Sequence, residues 1–429
     1  MAIVEETRPK ATSPVAEEVR AWLASNWDPE LTVGEWWERL ADSGWAVPTW
    51  PEEWFGRGLS GDSAAVVSAA LREAGALGPP AGLGLMLAGP TIVAHGTDEQ
   101  KQRYLRPIVT GQEAWCQLFS EPGAGSDLAS LQCRAVQDGE EWVVNGQKVW
   151  TSGAQVADLG MLVARTDVDV PKHRGISYFA IEMDQPGVDV RPLREMTGRA
   201  LFNEVFLDDA RVPDDALIGG RNSGWMVALT TLANERAGLG GGGGGGMGMG
   251  MPGRRAGMLE RRVGDLARGG GGGAQRALGS RGYATMKRAA DAEGRTGEAV
   301  VRQSLATLYS LEQISRFTML RTKASKAAGR GPGPEANTAK LAMSRITRLC
   351  RDLGLDLIGA KGMLAGGDAP MGGALQEMAM FAPAVSIYGG SDEVQRNIIG
   401  ERVLGLPKEP SDDRTTPFKD LQVGTARRG

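Results

Sequence analysis

The apolar period of this chain changes twice, and that order constrains its fold more than any other feature. "SPVAEEVRAWLASNW" and "VGEWWERLADSGW" repeat apolar residues every three or four positions, the spacing of an amphipathic helix. "GDSAAVVSAALREAG" is a further helix with Asp62 as its expected cap, and "TDEQKQRYLRPIVTG" another with Thr97 or Asp98 in that role. From about residue 114 short β-branched and aromatic runs take over: "EEWVVNGQKVW", "LGMLVART", "ISYFAIEM" and "NEVFLDDARVP" read as strands. Asn145-Gly146 in the first of these predicts a hairpin turn. The helical period returns at Gly224 in "GWMVALTTLANERAG" and continues through "EAVVRQSLATLYSLEQISRFTMLRTKASKAA" and "EANTAKLAMSRITRLCRDLGLDLIGAKG".

Helices, then strands, then helices make an α+β chain with a β domain between helical ones. The expected division is an N-terminal helical domain over 1–113, a middle β domain over 114–220, and a C-terminal helical domain over 221–410 with a glycine-rich loop at 238–253. A polar tail over 411–429 reads as loose. At 429 residues the chain exceeds one simple core.

Composition removes several classes of function. A net charge of −4 gives no basic footprint for nucleic acid. The arginines between Arg254 and Arg281 read as a charged loop among glycines. No apolar run has the length of a membrane span, and "MAIVEETRPKATSP" lacks the order of a signal peptide. Cys116, Cys133 and Cys350 are widely spaced and fit a reducing compartment. These features predict a soluble cytoplasmic protein. The only histidines are His95, at an apparent helix end, and His173, in the polar loop "DVPKHRG" and expected to be solvated. No His/Cys cluster offers a zinc site. A carboxylate or a bound cofactor must therefore carry any chemistry. The run "LGGGGGGGMGMGMPG" contains G-x-G-x-x-G, but no strand precedes it, so it reads as a flexible loop rather than a nucleotide fingerprint.

Three motifs, in order and spacing, carry a resemblance. "QLFSEPGAGSDLASL", followed by "VVNGQKVWTSGAQVADLGMLVARTD", resembles the acyl-CoA dehydrogenase family, and "IYGGSDEVQRNIIGERVLGLP" resembles that family's last active-site segment. Weaker similarity extends from "EEWFGRGLS" to Leu406. The resemblance implies an N-terminal helical domain, a middle β-barrel-like domain and a C-terminal four-helix bundle, with FAD between the last two. It implies removal of the α proton and a β hydride from an acyl-CoA, the hydride passing to flavin N5, to give a trans-2-enoyl-CoA. An electron-transfer flavoprotein or similar acceptor then takes the electrons.

A flavin ring needs donors at its N1/O2 edge and at N5, where charge develops on reduction. By resemblance, Phe119 and Ser120 contact the pyrimidine side. Gly125 and Ser126 lie where the flavin phosphate or the thioester arm binds. Trp150 lies beside the ring, and Ser152 puts a hydroxyl at N5. On the residues alone, the same stretch also reads as a hairpin with surface serines and a packed tryptophan. Gln303 matches a glutamine that touches the partner subunit's FAD. Gly390 and Ser391, at a helix start, match cofactor contacts.

The family commonly has Tyr-Glu-Gly-Thr where this chain has Tyr388-Gly389-Gly390-Ser391. That glutamate is the base, and Gly389 cannot replace it, although its backbone N–H can still bind the thioester carbonyl beside Tyr388. Isovaleryl- and long-chain-type members carry the base on an earlier helix in a Glu-Arg pair, here Glu235-Arg236. Glu235 is thus the expected base and Arg236 a substrate contact. Asp392 and Glu393 are expected to face outward. An Arg-x-x-Phe-Gly motif is missing, and "DLIGAKG" has Ala360 for a glycine, both changes bearing on contacts across a subunit interface. These departures resemble an actinobacterial branch of the family, some of whose members act on sterol side chains and some of which assemble from two different chains. A homodimer or homotetramer, or a hetero-oligomer, is implied. A non-catalytic partner subunit, or a flavin oxidase or monooxygenase of the same fold, are the alternatives.

Overall fold

Thr32 starts the first well-formed cap of the fold. Its side chain accepts from the Glu35 amide while Glu35 reaches back to the Thr32 amide, a reciprocal arrangement that satisfies two orphan donors at a helix start. The structure, a computed structural model, describes residues 13–240, 252–268, 282–329, 333, 335–423 and 426–427. Five helices come first: α1 (Pro14–Asn26), α2 (Val33–Asp42), α3 (Gly61–Glu73), α4 (Gly89–His95) and α5 (Asp98–Val109). The cap of α3 is Ser60, which accepts from the Ser63 amide; Asp62 lies within the first turn. Thr97 caps α5, with Gln100 closing the reciprocal bond. The tryptophans of α2 are buried, and each indole N–H finds a backbone carbonyl: Trp36 donates to Leu77 at 2.7 Å and Trp37 to Gly78 at 2.9 Å.

The sheet that follows contains β1 (Trp115–Leu118), β2 (Arg134–Asp138), β3 (Glu141–Ser152), β4 (Leu159–Arg165), β5 (Ile176–Glu182), β6 (Val188–Leu193), β7 (Phe202–Pro213) and β8 (Leu217–Ile218). Their order is β6-β7-β3-β2-β4-β5-β8, and β1 pairs in parallel with β4. Every residue of β4 is buried, which explains its unbroken apolar run.

The hairpin lies elsewhere than the Asn145-Gly146 signal predicts. The chain turns between Asp138 and Glu141, with Gly139 in the left-handed region (φ 66°), and Asn145-Gly146 sits inside the long strand β3. There the register against β7 slips. Asn145 exchanges hydrogen bonds of 2.9 Å each with the Asp209 carboxylate and amide, and a Cβ on Gly146 would stand 2.7 Å from Cys133 Cα. The glycine serves close strand packing rather than a turn.

The C-terminal helices are α6 (Gly224–Gly240), α7 (Val263–Arg268), α8 (Tyr283–Ala292), α9 (Ala299–Ala327), α10 (Glu335–Ile358), α11 (Ala374–Val385) and α12 (Asp392–Arg402). Residues 241–251 of the expected glycine-rich loop lie outside the described residues. One continuous apolar core joins the first helices, the sheet and the start of α6. A second core, with Met286, Leu308, Leu353 and Leu375, holds α8 to α11 together.

The tail is not loose where it is described. The Phe418 and Lys419 amides donate to Val170 and Val168 carbonyls at 2.9 and 3.0 Å, and the Phe418 ring is buried against Arg165. A polar composition hid one aromatic anchor. No helix among the described residues is long and apolar enough to cross a membrane.

Candidate active site

The segment after β1 is held from behind by an unexpected group. Lys148, on β3, has no exposed surface; its ammonium donates to the Phe119 carbonyl at 3.0 Å and to Glu121 at 2.8 Å. Glu121 also accepts from the Gln132 and Cys133 amides at 2.6 and 3.0 Å. One residue further along β3, the Val149 amide donates to the Ser120 carbonyl at 2.9 Å. Phe119 is buried, edge-on to Tyr178 at 6.0 Å between centroids. The Ser120 hydroxyl and amide take part in no hydrogen bond with the described residues.

Beyond Val149 the β3–β7 register shifts again, between Lys148 and Thr151. Trp150 occupies that irregularity with φ 61°, a conformation that costs a non-glycine residue about 1–2 kcal/mol. Its ring is 57% exposed and stands edge-on to Phe202, 5.8 Å between centroids. Asn203 fixes the bend by donating to the Thr151 carbonyl at 3.0 Å. A large aromatic held in strain and left half open, near the hydroxyls of Ser120 and Ser152, which have no hydrogen-bond partner among the described residues, is a surface suited to a planar ring with polar edges.

Glu235 is half-buried on α6, and its carboxylate is 3.5 Å from the Gln117 side-chain amide on β1. The candidate base is thereby set against the strand that leads into Phe119 and Ser120. The helix is pinned by buried hydroxyls: Thr91 and Thr231 are 2.9 Å apart, and Tyr178 reaches Thr231 at 3.3 Å. Burial pushes the Tyr178 phenol well above the usual tyrosine range, against the pull of its hydroxyl partners. His95 ends α4 and meets Thr230 at 2.7 Å; burial holds its pKa down. The side chain of Arg236 lies outside the described residues.

The two glycines form the bend between α11 and α12. Both are left-handed, with φ 64° at Gly389 and 81° at Gly390, and a Cβ on Gly390 would stand 2.5 Å from the Gln395 amide nitrogen. Gln395 donates to both glycine carbonyls, at 3.2 and 3.3 Å. The Gly389 and Gly390 amides make no hydrogen bond with the described residues. Ser391 caps α12, accepting from Val394 at 3.3 Å, and Tyr388 lies half-buried beside Phe381.

Asp392 faces inward, contrary to expectation, while Glu393 is exposed. Ser344 and Arg348 of α10 donate to the Asp392 carboxylate at 2.7 and 3.1 Å, and Lys340 lies 3.8 Å away. Burial acts to raise the Asp392 pKa, but these donors outweigh it and hold the carboxyl below its ordinary range. Lys340, Ser344 and Arg348 are four residues apart along one helix face, a spacing visible in the sequence but without an evident partner there. Burial holds the Lys340 pKa down, opposed by Asp392.

Gly125 and Ser126 are exposed on the loop after Ala124, and the next residue, Asp127, accepts from Lys172 at 2.9 Å. Lys172 also pairs with Asp413 of the tail. His173 is half-buried rather than solvated, edge-on to Trp225 at 4.8 Å, and burial with the neighbouring Lys172 charge holds its pKa down. Gln303 is exposed on α9, and Ala360 is exposed just after α10. Lys148, Glu121, Gln117 and Asp392 were not identified as positioning groups from sequence. The one sign in the sequence is a lysine directly before the apolar pair Val149-Trp150 in "NGQKVW". Among the described residues, no group of three or more His, Cys, Asp or Glu side chains is placed to hold a metal ion.

The sequence matches the acyl-CoA dehydrogenase N-terminal domain over residues 2–112, the middle domain over 116–210 and the C-terminal domain over 248–404. Acyl-CoA dehydrogenase IpdE1 of Mycobacterium tuberculosis is 36% identical over 410 residues, spanning 91% of this chain and 97% of that protein. Among solved structures, the Tcur3481-Tcur3483 steroid ACAD is 27% identical with a TM-score of 0.69, over 94% of this chain and 99% of that one. The ChsE4-ChsE5 complex from Mycobacterium tuberculosis is 27% identical with a TM-score of 0.62, over 94% and 100%.

Proposed function

This chain belongs to the acyl-CoA dehydrogenase family, and from that premise we propose that it desaturates a bulky acyl-CoA thioester with Glu235 as the base. The observation that carries the reading is the set of Glu235 on α6 against Gln117 on β1, combined with a left-handed glycine where a carboxylate otherwise stands.

The residues present fit a flavin. Phe119, Ser120, Trp150 and Ser152 would hold the ring, Gly125 and Ser126 its phosphate or the thioester arm, and Gly390, Ser391 and the exposed Gln303 its remaining contacts. Bound FAD supplies a two-electron acceptor for the β hydride. Glu235 takes the α proton. A carboxylate at the edge of an apolar acyl site is a stronger base than one in water, because desolvation disfavours its charged form. The Gly389 N–H, unengaged within the described chain, holds the thioester carbonyl and stabilises charge arriving on that oxygen. Tyr388 completes the substrate contacts within the described residues. Trp150 and Phe202 exclude water from one side.

The structures named above as a steroid ACAD and as a two-chain complex support a wide, ring-bearing acyl group and an oligomeric enzyme. Helix α9 leaves Ile314, Phe317 and Leu320 exposed, an apolar face suited to a subunit contact. Whether the second subunit is identical is the point on which a second reading turns: a partner subunit that supports another chain's site. Anaerobic titration of the purified protein with acyl-CoAs from short-chain to steroid decides between them. Bleaching of its own flavin, strongest with the bulky thioesters, is expected. Absence of bleaching with every thioester, restored only by adding another chain, would favour the second reading.

A further inference from the structure

Lys148 and Glu121 form an ion pair with almost no access to water, with side-chain exposures of 0% and 6%. Burying two charges is costly, and such a pair gives little net stability over an apolar replacement. Its position is specific, however. The ammonium bonds the carbonyl of Phe119, and that carbonyl shares one peptide unit with the amide N–H of Ser120. The same strand holds the next carbonyl through the Val149 amide. Glu121 divides its negative charge among three donors, Lys148 and the amides of Gln132 and Cys133, and so keeps the ammonium aimed at the peptide.

A cation on a peptide oxygen draws electron density from the nitrogen and makes the N–H a stronger donor. In a low-dielectric surrounding this transmission is stronger than in water. The Ser120 N–H is unengaged within the described chain. We propose that Lys148 is a positioning residue that polarises the Phe119–Ser120 peptide and so raises the reduction potential of the flavin bound against it. The proposal rests on the reading that Ser120 borders the flavin ring. Reduction places negative charge on the N1/O2 edge, and a strengthened donor there favours the reduced form. The effect is electronic as well as structural, so charge at position 148 matters beyond the hydrogen bond.

Lys148→Gln retains a donor without the charge, and Lys148→Arg retains the charge. FAD content is measured first, from flavin absorbance against protein, followed by anaerobic spectroelectrochemical titration of each holoprotein. Lys148→Gln is expected to shift the equilibrium about tenfold against reduction, about 30 mV for a two-electron couple, with Lys148→Arg close to wild type. Equal potentials in all three flavin-loaded proteins overturn the inference and leave the family function standing. Wild-type protein that cannot be loaded with FAD overturns both. If Lys148→Gln does not fold, the double variant Lys148→Met/Glu121→Gln replaces it, because removing both buried charges together leaves neither unpaired. The same shift against reduction is expected, and a potential equal to wild type overturns the proposal.

Discussion

Arg165 lies over the ring of Phe418, its guanidinium carbon 3.6 Å from the ring centroid. This contact fastens the tail to the β domain, and the same arginine donates to the Lys172 and Ala129 carbonyls at 2.5 and 2.6 Å. It therefore ties three segments that are distant in sequence, one of them adjacent to the Gly125–Ser126 loop. Phe418→Ala removes a buried ring and a cation–π contact, and should destabilise the protein by about 3 kcal/mol. Urea unfolding measures it. A change below about 0.5 kcal/mol would show that the tail does not bear on stability.

Glu235→Gln should bind FAD and acyl-CoA nearly as wild type does, yet lose proton abstraction. A positioned base contributes about 10²–10⁴-fold, so single-turnover flavin reduction should slow by that factor. If the variant bleaches its flavin at the wild-type rate, Glu235 is not the base.

Gly390→Ala should destabilise the α11–α12 bend. A left-handed backbone costs a residue with a Cβ about 1–2 kcal/mol, and the added carbon would press on the Gln395 amide. Gly389→Ala meets the same backbone penalty, and in addition should raise the apparent KM by crowding the thioester while leaving no catalytic group removed. Thermal unfolding and steady-state kinetics separate the two effects.

Asp392→Asn leaves Lys340 and Arg348 facing a neutral partner, and breaking a buried pair costs about 3 kcal/mol or more. The pH dependence follows from the lowered Asp392 pKa. A carboxyl depressed in the folded state contributes its stability fully above the ordinary value of 3.8 and loses it as pH falls through the folded value. The gap between wild type and variant should be constant from pH 5 to 7 and close below pH 4. Urea melts across that range test this.

Cys116, Cys133 and Cys350 are all buried, and none is in a disulfide. Burial pushes Cys116 up to about 12 and Cys133 up to about 11, the latter despite the Lys148 charge. Thiolates are the reactive species, so a thiol reagent at pH 8 should label none of the three in the native protein and all of them after denaturation.

Periodicity was sufficient for the order of helices and strands, because each element buries one face against a neighbour. Thr97 was legible as a cap for the same local reason. What failed depended on groups far apart in sequence. Asn145-Gly146 has the composition of a turn, but Cys133 and Asp209 make it a packed irregularity in a strand. Asp392 looked like a surface residue at a helix start until Ser344 and Arg348 on α10 were brought to it. Phe418 sits in a polar stretch with no period at all, and only the folded β domain supplies its pocket. The motif residues of the candidate site rest on resemblance; the buried Lys148 behind them has no such signal, because no local pattern marks a lysine that crosses between strand and loop.

The left-handed pair at Gly389 and Gly390 also bears on how this enzyme can change by mutation. For some glycine codons, glutamate is a single base substitution away, so the genetic code offers a short route to a carboxylate at position 389. The backbone opposes it. A glutamate there would have to adopt an unfavourable conformation, beside a second glycine in the same state, before it could act on a substrate. Any side chain gained on that route would strain the bend from the first substitution. The bend thus acts as a ratchet, making a bare position 389 easier to keep than to fill.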